Sequence, residues 1–226
     1  MRVALIIPAL NEEKAIGHVL RDIPSGICET IIVVDNGSTD ATAHVASDAG
    51  AIVLHEPQRG YGRACVKGIR YLQQTVNPDV LVFLDGDHSD HPDQLPELLE
   101  PIRSGKAELV IGSRLTGERE RGSMTLPQVF GNKLAVYLIR MLTGVRFTDL
   151  GPFRAIRFDR LLEMEMTEMA YGWTVEMQLK AANMRLPFAE VPVRYRNRIG
   201  TSKVSGTVKG TILAGWRILF TIARLR

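Results

Sequence analysis

Three carboxylates fall within six positions in the stretch Leu81-Val82-Phe83-Leu84-Asp85-Gly86-Asp87-His88-Ser89-Asp90, directly after four apolar residues. Like charges this close repel one another, and burying them is costly without a counter-charge. The spacing therefore asks for a cation. Asp85 and Asp87 stand at i and i+2, which in extended chain puts both side chains on one face, and Gly86 between them lets a ligand approach the backbone. Oxygen-only ligands suit Mg2+ or Mn2+ rather than zinc, and such an ion commonly keeps substrate phosphates among its ligands. The competing reading is a solvated acidic loop that opens a helix at Pro92 and is favoured by the helix dipole. Asp90 and Asp93 fit that second reading.

Two more polar stretches accompany the acidic one: Pro8-Ala9-Leu10-Asn11-Glu12-Glu13 and Asp35-Asn36-Gly37-Ser38-Thr39-Asp40. Asp35 either accepts hydrogen bonds from a nucleobase or ribose or forms an Asx turn. No phosphate loop of the G-x-x-x-x-G-K-[ST] kind is present. Arg59-Gly60-Tyr61-Gly62-Arg63 lacks the third glycine of a dinucleotide fingerprint and reads as a turn before a helix. The five histidines show no metal-ligand spacing, and Cys28 and Cys65 read as thiols of a reducing compartment.

The elements that must hold these stretches alternate regularly. Val3–Ile7, Thr30–Val34, Ala51–Leu54, Val80–Leu84 and Leu109–Ile111 read as strands, and helices are expected over Glu12–Ile23, from the Ser38-Thr39-Asp40 cap to Ala49, over Gly62–Val76 and from Pro92. Continuous apolar strands alternating with helices imply an α/β fold with a parallel sheet covered on both faces. Ligands bind such sheets beyond the carboxyl ends of the strands, where the three polar loops collect. Beyond residue 115 the rhythm is lost. A polar loop over Leu115–Thr125 is followed by an expected helix at Gln128–Leu142, a strand at Pro152–Arg157, a helix at Trp173–Asn183 and a strand at Phe188–Tyr195. One domain over residues 1–206 with a C-terminal helix over 207–226 accounts for the pattern.

The totals bound the partners. The 226 residues carry a net charge of +3, but Ala181–Arg226 holds nine Lys/Arg against Glu190, giving +8, while the remaining 180 residues carry −5. A basic tail on an acidic body fits a phosphate or a membrane surface. Nucleic acid is disfavoured, because few aromatics beyond Tyr195 and Trp216 interleave the basic segment. No signal peptide is expected, and no run reaches the roughly 18 apolar residues of a membrane span. The tail helix, with Lys209, Arg217 and Arg224 on one stripe and Trp216, Leu213, Phe220 and Ile212 elsewhere, either lies in a membrane interface or packs on the core or another subunit.

Together, Pro8–Glu13, Val34–Asp40 and Asp85-Gly86-Asp87 resemble the motifs of glycosyltransferase family 2 with its GT-A fold, which implies a Rossmann-like, mostly parallel sheet flanked by helices. Ile111-Gly112-Ser113-Arg114, Thr148–Ala155 and Arg198-Ile199-Gly200-Thr201-Ser202-Lys203 are similar to the branch related to dolichyl-phosphate mannosyltransferase. The resemblance implies an inverting transferase that moves a sugar from a nucleoside diphosphate sugar to a polyprenyl phosphate at the cytoplasmic membrane face, with Mg2+ or Mn2+. It assigns Pro8, Ala9, Asn11, Glu13, Asp35, Asn36, Ser38, Asp40, Asp85 and Gly86 to the nucleotide, and Asp85, Asp87 and Asp90 to the metal. Asp87, Arg114 and Lys203 would serve catalysis, and Arg114, Arg198, Ser202 and Lys203 the phosphates. Relatives often carry Gln after the D-x-D pair; here Ser89 and Asp90 compete for that place, and Pro152 stands where a small residue is common.

An acceptor phosphate is already a nucleophile at neutral pH, whereas a hydroxyl needs a general base. A phosphate acceptor needs cations to hold two anionic substrates together, which Arg194-Tyr195-Arg196-Asn197-Arg198 and Lys203 supply unless they form a solvated loop. For a hydroxyl acceptor, Asp149 and Glu176 are the candidate bases. Two other classes share features. A sugar nucleotidyltransferase would carry a Gly-rich basic loop after the first strand, where Pro8–Glu13 is acidic. A non-catalytic membrane-surface protein would leave Asp85 and Asp87 without work.

Overall fold

The computed structural model describes residues 1–200, Trp216 and residues 220–224. Its first half is built from β1 (Val3–Ala9), α1 (Ile16–Asp22), β2 (Thr30–Asp35), α2 (Thr42–Asp48), β3 (Ile52–His55), α3 (Tyr61–Gln74) and β4 (Val80–Phe83). A 3-10 turn at Pro92–Gln94 leads into α4 (Leu95–Arg103), followed by β5 (Leu109–Ser113), α5 (Leu126–Thr143), β6 (Arg154–Arg157), α6 (Phe158–Glu163), α7 (Trp173–Asn183) and β7 (Phe188–Pro192).

The seven strands form one sheet in the order β3-β2-β1-β4-β6-β5-β7. Side chains of β1 alternate between two cores. Ala4 and Ile6 join Ala64, Cys65 and Leu72 of α3, Ile139 of α5 and Trp173 of α7. Val3, Leu5 and Ile7 join Ile16 and Val19 of α1 and Leu95, Leu98 and Leu99 of α4. A strand covered on both faces has no polar side to show, which is why β1 and β4 read as unbroken apolar runs.

The sheet is mostly, not wholly, parallel. β6 lies between β4 and β5 and runs antiparallel to both, which agrees with the mostly parallel sheet expected. The chain enters β6 from the loop after α5 rather than through a crossover, and an antiparallel partner needs none. The expected helix from Glu12 begins only at Ile16, because Asn11 takes a left-handed backbone (φ 54) and residues 12–15 form a turn. The cap expected from Ser38-Thr39-Asp40 is displaced: α2 starts after Ala41, and Asp40 accepts from the Thr42 amide instead. α6 carries no periodicity long enough to announce it. β7 stops at Pro192, so Tyr195 leaves the strand and bridges Asp90 and Arg119 singly.

The 206/207 boundary lies outside the described residues, as do Lys209, Ile212, Leu213 and Arg217. Residues 220–224 are helical, and Ile222 is buried in the same core as Ala135 and Ile139. At that point the C-terminal helix packs on the domain. No helix among the described residues is long and apolar enough to cross a membrane.

Candidate active site

From β1 the chain passes outward to β2 and β3, then returns to the other side of β1 as β4. The connections leaving β1 and β4 therefore diverge, opening a crevice at their carboxyl ends, where open α/β sheets bind ligands. A cleft of about 400 Å³ occupies that place, lined by Pro8 through Glu12 after β1, Asp85, Gly86 and Asp87 after β4, Asn36, the Arg59-Gly60-Tyr61 turn, Tyr171 and Arg198. A second hollow of about 600 Å³ lies at the opposite end of the sheet. There Arg157 pairs with Asp159 and the Met1 amino group lies 3.9 Å from Asp79, so those charges answer one another.

Two of the three acidic residues are buried and Asp85 is half-buried. Asp87 and Asp90 are 6% and 1% exposed. Burial and the neighbouring Asp87 charge push Asp85 up to about 7, with Arg198 and Arg114 pulling the other way. Burial, then Asp85 and Asp87, raise Asp90 well above the usual carboxylate range. Neither oxygen of Asp90 meets a donor at hydrogen-bond geometry. Asp87 is more engaged: it accepts from the Ser89 amide at 2.9 Å and hydroxyl at 2.5 Å, and its other oxygen meets the Arg198 guanidinium at 2.9 Å. Arg198 also reaches Glu12 at 3.2 Å. Crowded, part-neutralised carboxylates with an orphaned neighbour fit a hard divalent cation. Among the described residues no three His, Cys, Asp or Glu side chains close into a ready-made cage. An ion here would complete its shell from water and substrate phosphates, as Mg2+ commonly does.

The predicted nucleotide residues divide in two. Pro8, Ala9, Asn11, Asn36, Asp85 and Gly86 line the cleft; Glu13, Asp35, Ser38 and Asp40 do not. Three of these, Glu13, Ser38 and Asp40, with Asn11, stitch the first two loops together. The Asn11 amide donates to the Ser38 hydroxyl, the Thr39 amide to Asn11, the Glu13 amide to Asp40 and the Ala41 amide to Glu13. Asp35 forms the Asx turn, accepting from the Ser38 amide at 2.9 Å, and its other oxygen faces His55 Nδ1 at 3.1 Å. Asn36 donates to the carbonyls of Glu56 and Gln58 and accepts from the Gly60 amide, fixing the turn that presents Arg59.

The cationic residues divide as well. Arg114 does not line the cleft: Asp149 holds it through two guanidinium bonds of 2.8 Å, and it lies over the Tyr195 ring. Burial acts to lower its pKa, but the Asp149 carboxylate reverses the balance and locks the guanidinium in its charged form. Arg194 pairs with Asp93, while Arg196 binds Asp22 and the carbonyls of His88 and Asp90. These two pin the basic run to the acidic loop, and Arg198 faces the cleft. Ser202 and Lys203 lie outside the described residues.

The candidate bases sit elsewhere. Asp149 is fully buried against Arg114, and Glu176 holds the Thr167 and Glu168 amides and Lys180. His88 pairs with Asp22 at 2.9 Å and His91 lies near Asp93 at 3.5 Å, so each faces a carboxylate other than the triplet. Sequence reasoning missed Arg59, Tyr61 and Tyr171 as cleft residues. The paired glycines around Tyr61 were the available signal: added Cβ atoms at Gly60 and Gly62 would lie 2.2 Å and 2.0 Å from the carbonyls of Met169 and Glu168. Glycine there lets the Tyr171 loop close over α3, and Tyr171 itself carries no local sequence signal.

A mostly parallel sheet with an acidic pair at its switch point is the arrangement of GT-A glycosyltransferases. The model of glycosyl transferase family 2 matches residues 4–163. An uncharacterized glycosyltransferase of Mycobacterium bovis is 34% identical across 96% of this chain and 97% of its own length. An undecaprenyl-phosphate mannosyltransferase of Micrococcus luteus is also 34% identical, across 93% of this chain and 90% of its own. Among solved structures, glucosyl-3-phosphoglycerate synthase of Mycobacterium tuberculosis in complex with Mn2+ and UDP-glucose is 25% identical, with a TM-score of 0.75 over 99% of this chain and 78% of that one. The chain belongs to glycosyl transferase family 2 and is a glycosyltransferase.

Proposed function

We propose that the enzyme transfers a sugar, with inversion, from a nucleoside diphosphate sugar to a polyprenyl phosphate at the cytoplasmic face of a membrane. The observation that carries the reading is the acidic cluster at the switch point, with half-buried Asp85 and buried Asp87 lining the cleft, Asp90 buried beside them, and Arg198 paired to Asp87. Asp87 and Asp85 would hold Mg2+ or Mn2+, with Asp90 behind them. When bound, such an ion neutralises the leaving diphosphate. Asn36 and Arg59 border the part of the cleft next to β2, where the nucleoside is placed, and Asp35 supports it from beneath.

The acceptor follows from what the cleft offers a nucleophile. Asp149 and Glu176, the carboxylates best placed by sequence to act as bases, are committed to Arg114 and to backbone amides. A phosphate acceptor needs no base, but it needs cations to bring it against an anionic donor. Arg198 supplies one, exchanging Asp87 and Glu12 for phosphate oxygens, and Ser202 and Lys203 follow it in the chain. Arg114 acts at one remove, holding Asp149 and the Tyr195 segment. The undecaprenyl-phosphate mannosyltransferase of similar length supports this acceptor class. Glucosyl-3-phosphoglycerate synthase, by its name, supports the second reading, a small soluble acceptor on the same fold.

The test is a transfer assay with UDP-glucose or GDP-mannose, with and without Mn2+, offering undecaprenyl phosphate and 3-phosphoglycerate separately. The expected result is a metal-dependent glycosyl phosphoprenol detected by mass spectrometry. Transfer to phosphoglycerate alone would replace the lipid acceptor with the soluble one.

A further inference from the structure

α5 is apolar on two sides. Its inner side packs Ala135 and Ile139 into the core, and Asn132 accepts from the Leu150 amide at 2.8 Å, beside the Asp149 that holds Arg114. Its outer side presents Leu126 (86% exposed), Phe130 (70%), Leu134 (37%), Tyr137 (56%) and Met141 (67%) to solvent. Separated by three or four residues, the five fall within a sector about 80° wide. The helix is firmly built despite this exposure. Thr125 and Gln128 form a capping box at its start, and Gly144 ends it in the left-handed conformation. A row of large apolar side chains on a well-capped helix marks a surface that something covers.

Charge decides what covers it. Between Arg121 and Thr148 the chain has no Asp or Glu, while Arg121, Lys133, Arg140 and Arg146 are all exposed. Two copies of this face brought together would oppose like charges; an anionic bilayer would meet apolar residues with acyl chains and basic residues with headgroups. The face is also continuous with the site. The loop from Arg114 runs directly into α5, and the Asn132 bond ties the helix to the segment behind Arg114. Trp216 and Phe220 of the C-terminal helix, 68% and 47% exposed, add apolar surface on an element that packs Ile222 into the same core as Ala135 and Ile139.

We propose that α5 is an interfacial helix that seats the enzyme on an anionic lipid surface, with Phe130 and Met141 entering the acyl boundary and Lys133 and Arg140 at the headgroups. Its use in turnover rests on the lipid-acceptor reading above; the binding itself does not. The test is flotation of the full chain with phosphatidylcholine vesicles, with and without phosphatidylglycerol and free of polyprenyl phosphate. Wild type is expected to float with the anionic vesicles. Phe130→Ser with Met141→Ser should lower that partitioning by about tenfold or more, and Lys133→Gln with Arg140→Gln should remove its dependence on phosphatidylglycerol. Both variants should keep the nucleotide-induced rise in Tm.

Two results would overturn the proposal. One is equal flotation of wild type and the Phe130/Met141 variant, or none by either. The other is a wild-type dimer in light scattering that the same pair of substitutions splits, because the face would then join two copies of the chain. Vesicle binding together with no transfer to undecaprenyl phosphate would instead remove the acceptor assignment and leave the surface standing.

Discussion

Asp87 and Asp149 show how one residue type serves two ends. Asp87 keeps one oxygen on Ser89 and offers the other to Arg198 in the cleft; Asp149 has both oxygens on Arg114 and none toward the cleft. Asp87→Ala should therefore cost about 10²-fold or more in turnover while leaving the circular dichroism spectrum unchanged. Asp149→Ala strands a buried guanidinium, and urea unfolding should show a loss of about 3–5 kcal/mol. Sequence spacing made Asp85 and Asp87 legible because an i, i+2 pair at a strand end has few structural reasons to exist. It could not separate Asn11, Glu13, Ser38 and Asp40 into ligand and scaffold. The choice between a substrate atom and a neighbouring amide is made by loops 27 and 28 residues apart in sequence.

At the scale of elements, β1, β2, β4 and β5 were readable because strands covered on both faces are short continuous apolar runs between turn signals, and the more exposed edge strand β3 because it is a short apolar run ahead of a helix. β6 and β7 were also placed from sequence, but the direction of β6 and the presence of α6 were not. β6 is four residues long and antiparallel, and α6 has six residues, too few for periodicity to declare itself. The turn before α3 depends on contacts that sequence does not display. Gly62→Ala would drive a Cβ to 2.0 Å from the Glu168 carbonyl, so it should cost about 1–3 kcal/mol in thermal unfolding and weaken nucleotide binding as Tyr171 is displaced. An alanine that left both unchanged would detach the Tyr171 loop from the site.

Over the whole molecule, buried carboxylates set the response to acid. Burial acts to raise Asp149 and Glu176, but Arg114 on the first, and Thr167, the Glu168 amide and Lys180 on the second, bring both below their ordinary values. A depressed folded pKa means the stabilisation is complete above the unfolded value near about 4 and is lost as pH falls through the folded value. Asp85 and Asp90, held above the ordinary range, work the other way, so denaturant midpoints of the metal-free protein should rise from about pH 8 toward about pH 5 and drop below about pH 4, and Asp149→Asn should flatten that drop. The separation of charge between an acidic body and a basic C-terminal segment was plain from sequence. The apolar outer face of α5 was not, because Phe130, Leu134 and Met141 look like core until the fold shows which side of the helix is covered.

The central claim is a metal-dependent nucleoside diphosphate site built on Asp85 and Asp87. Thermal unfolding with UDP and with GDP, each with and without Mn2+, tests it in wild type and in Asp87→Ala. A ligand at a hundred times its Kd stabilises the folded state by about 2.7 kcal/mol. The account predicts a rise in Tm for one of the two nucleotides that requires Mn2+ and vanishes in Asp87→Ala. A shift of equal size without metal, or one that survives the substitution, would contradict it.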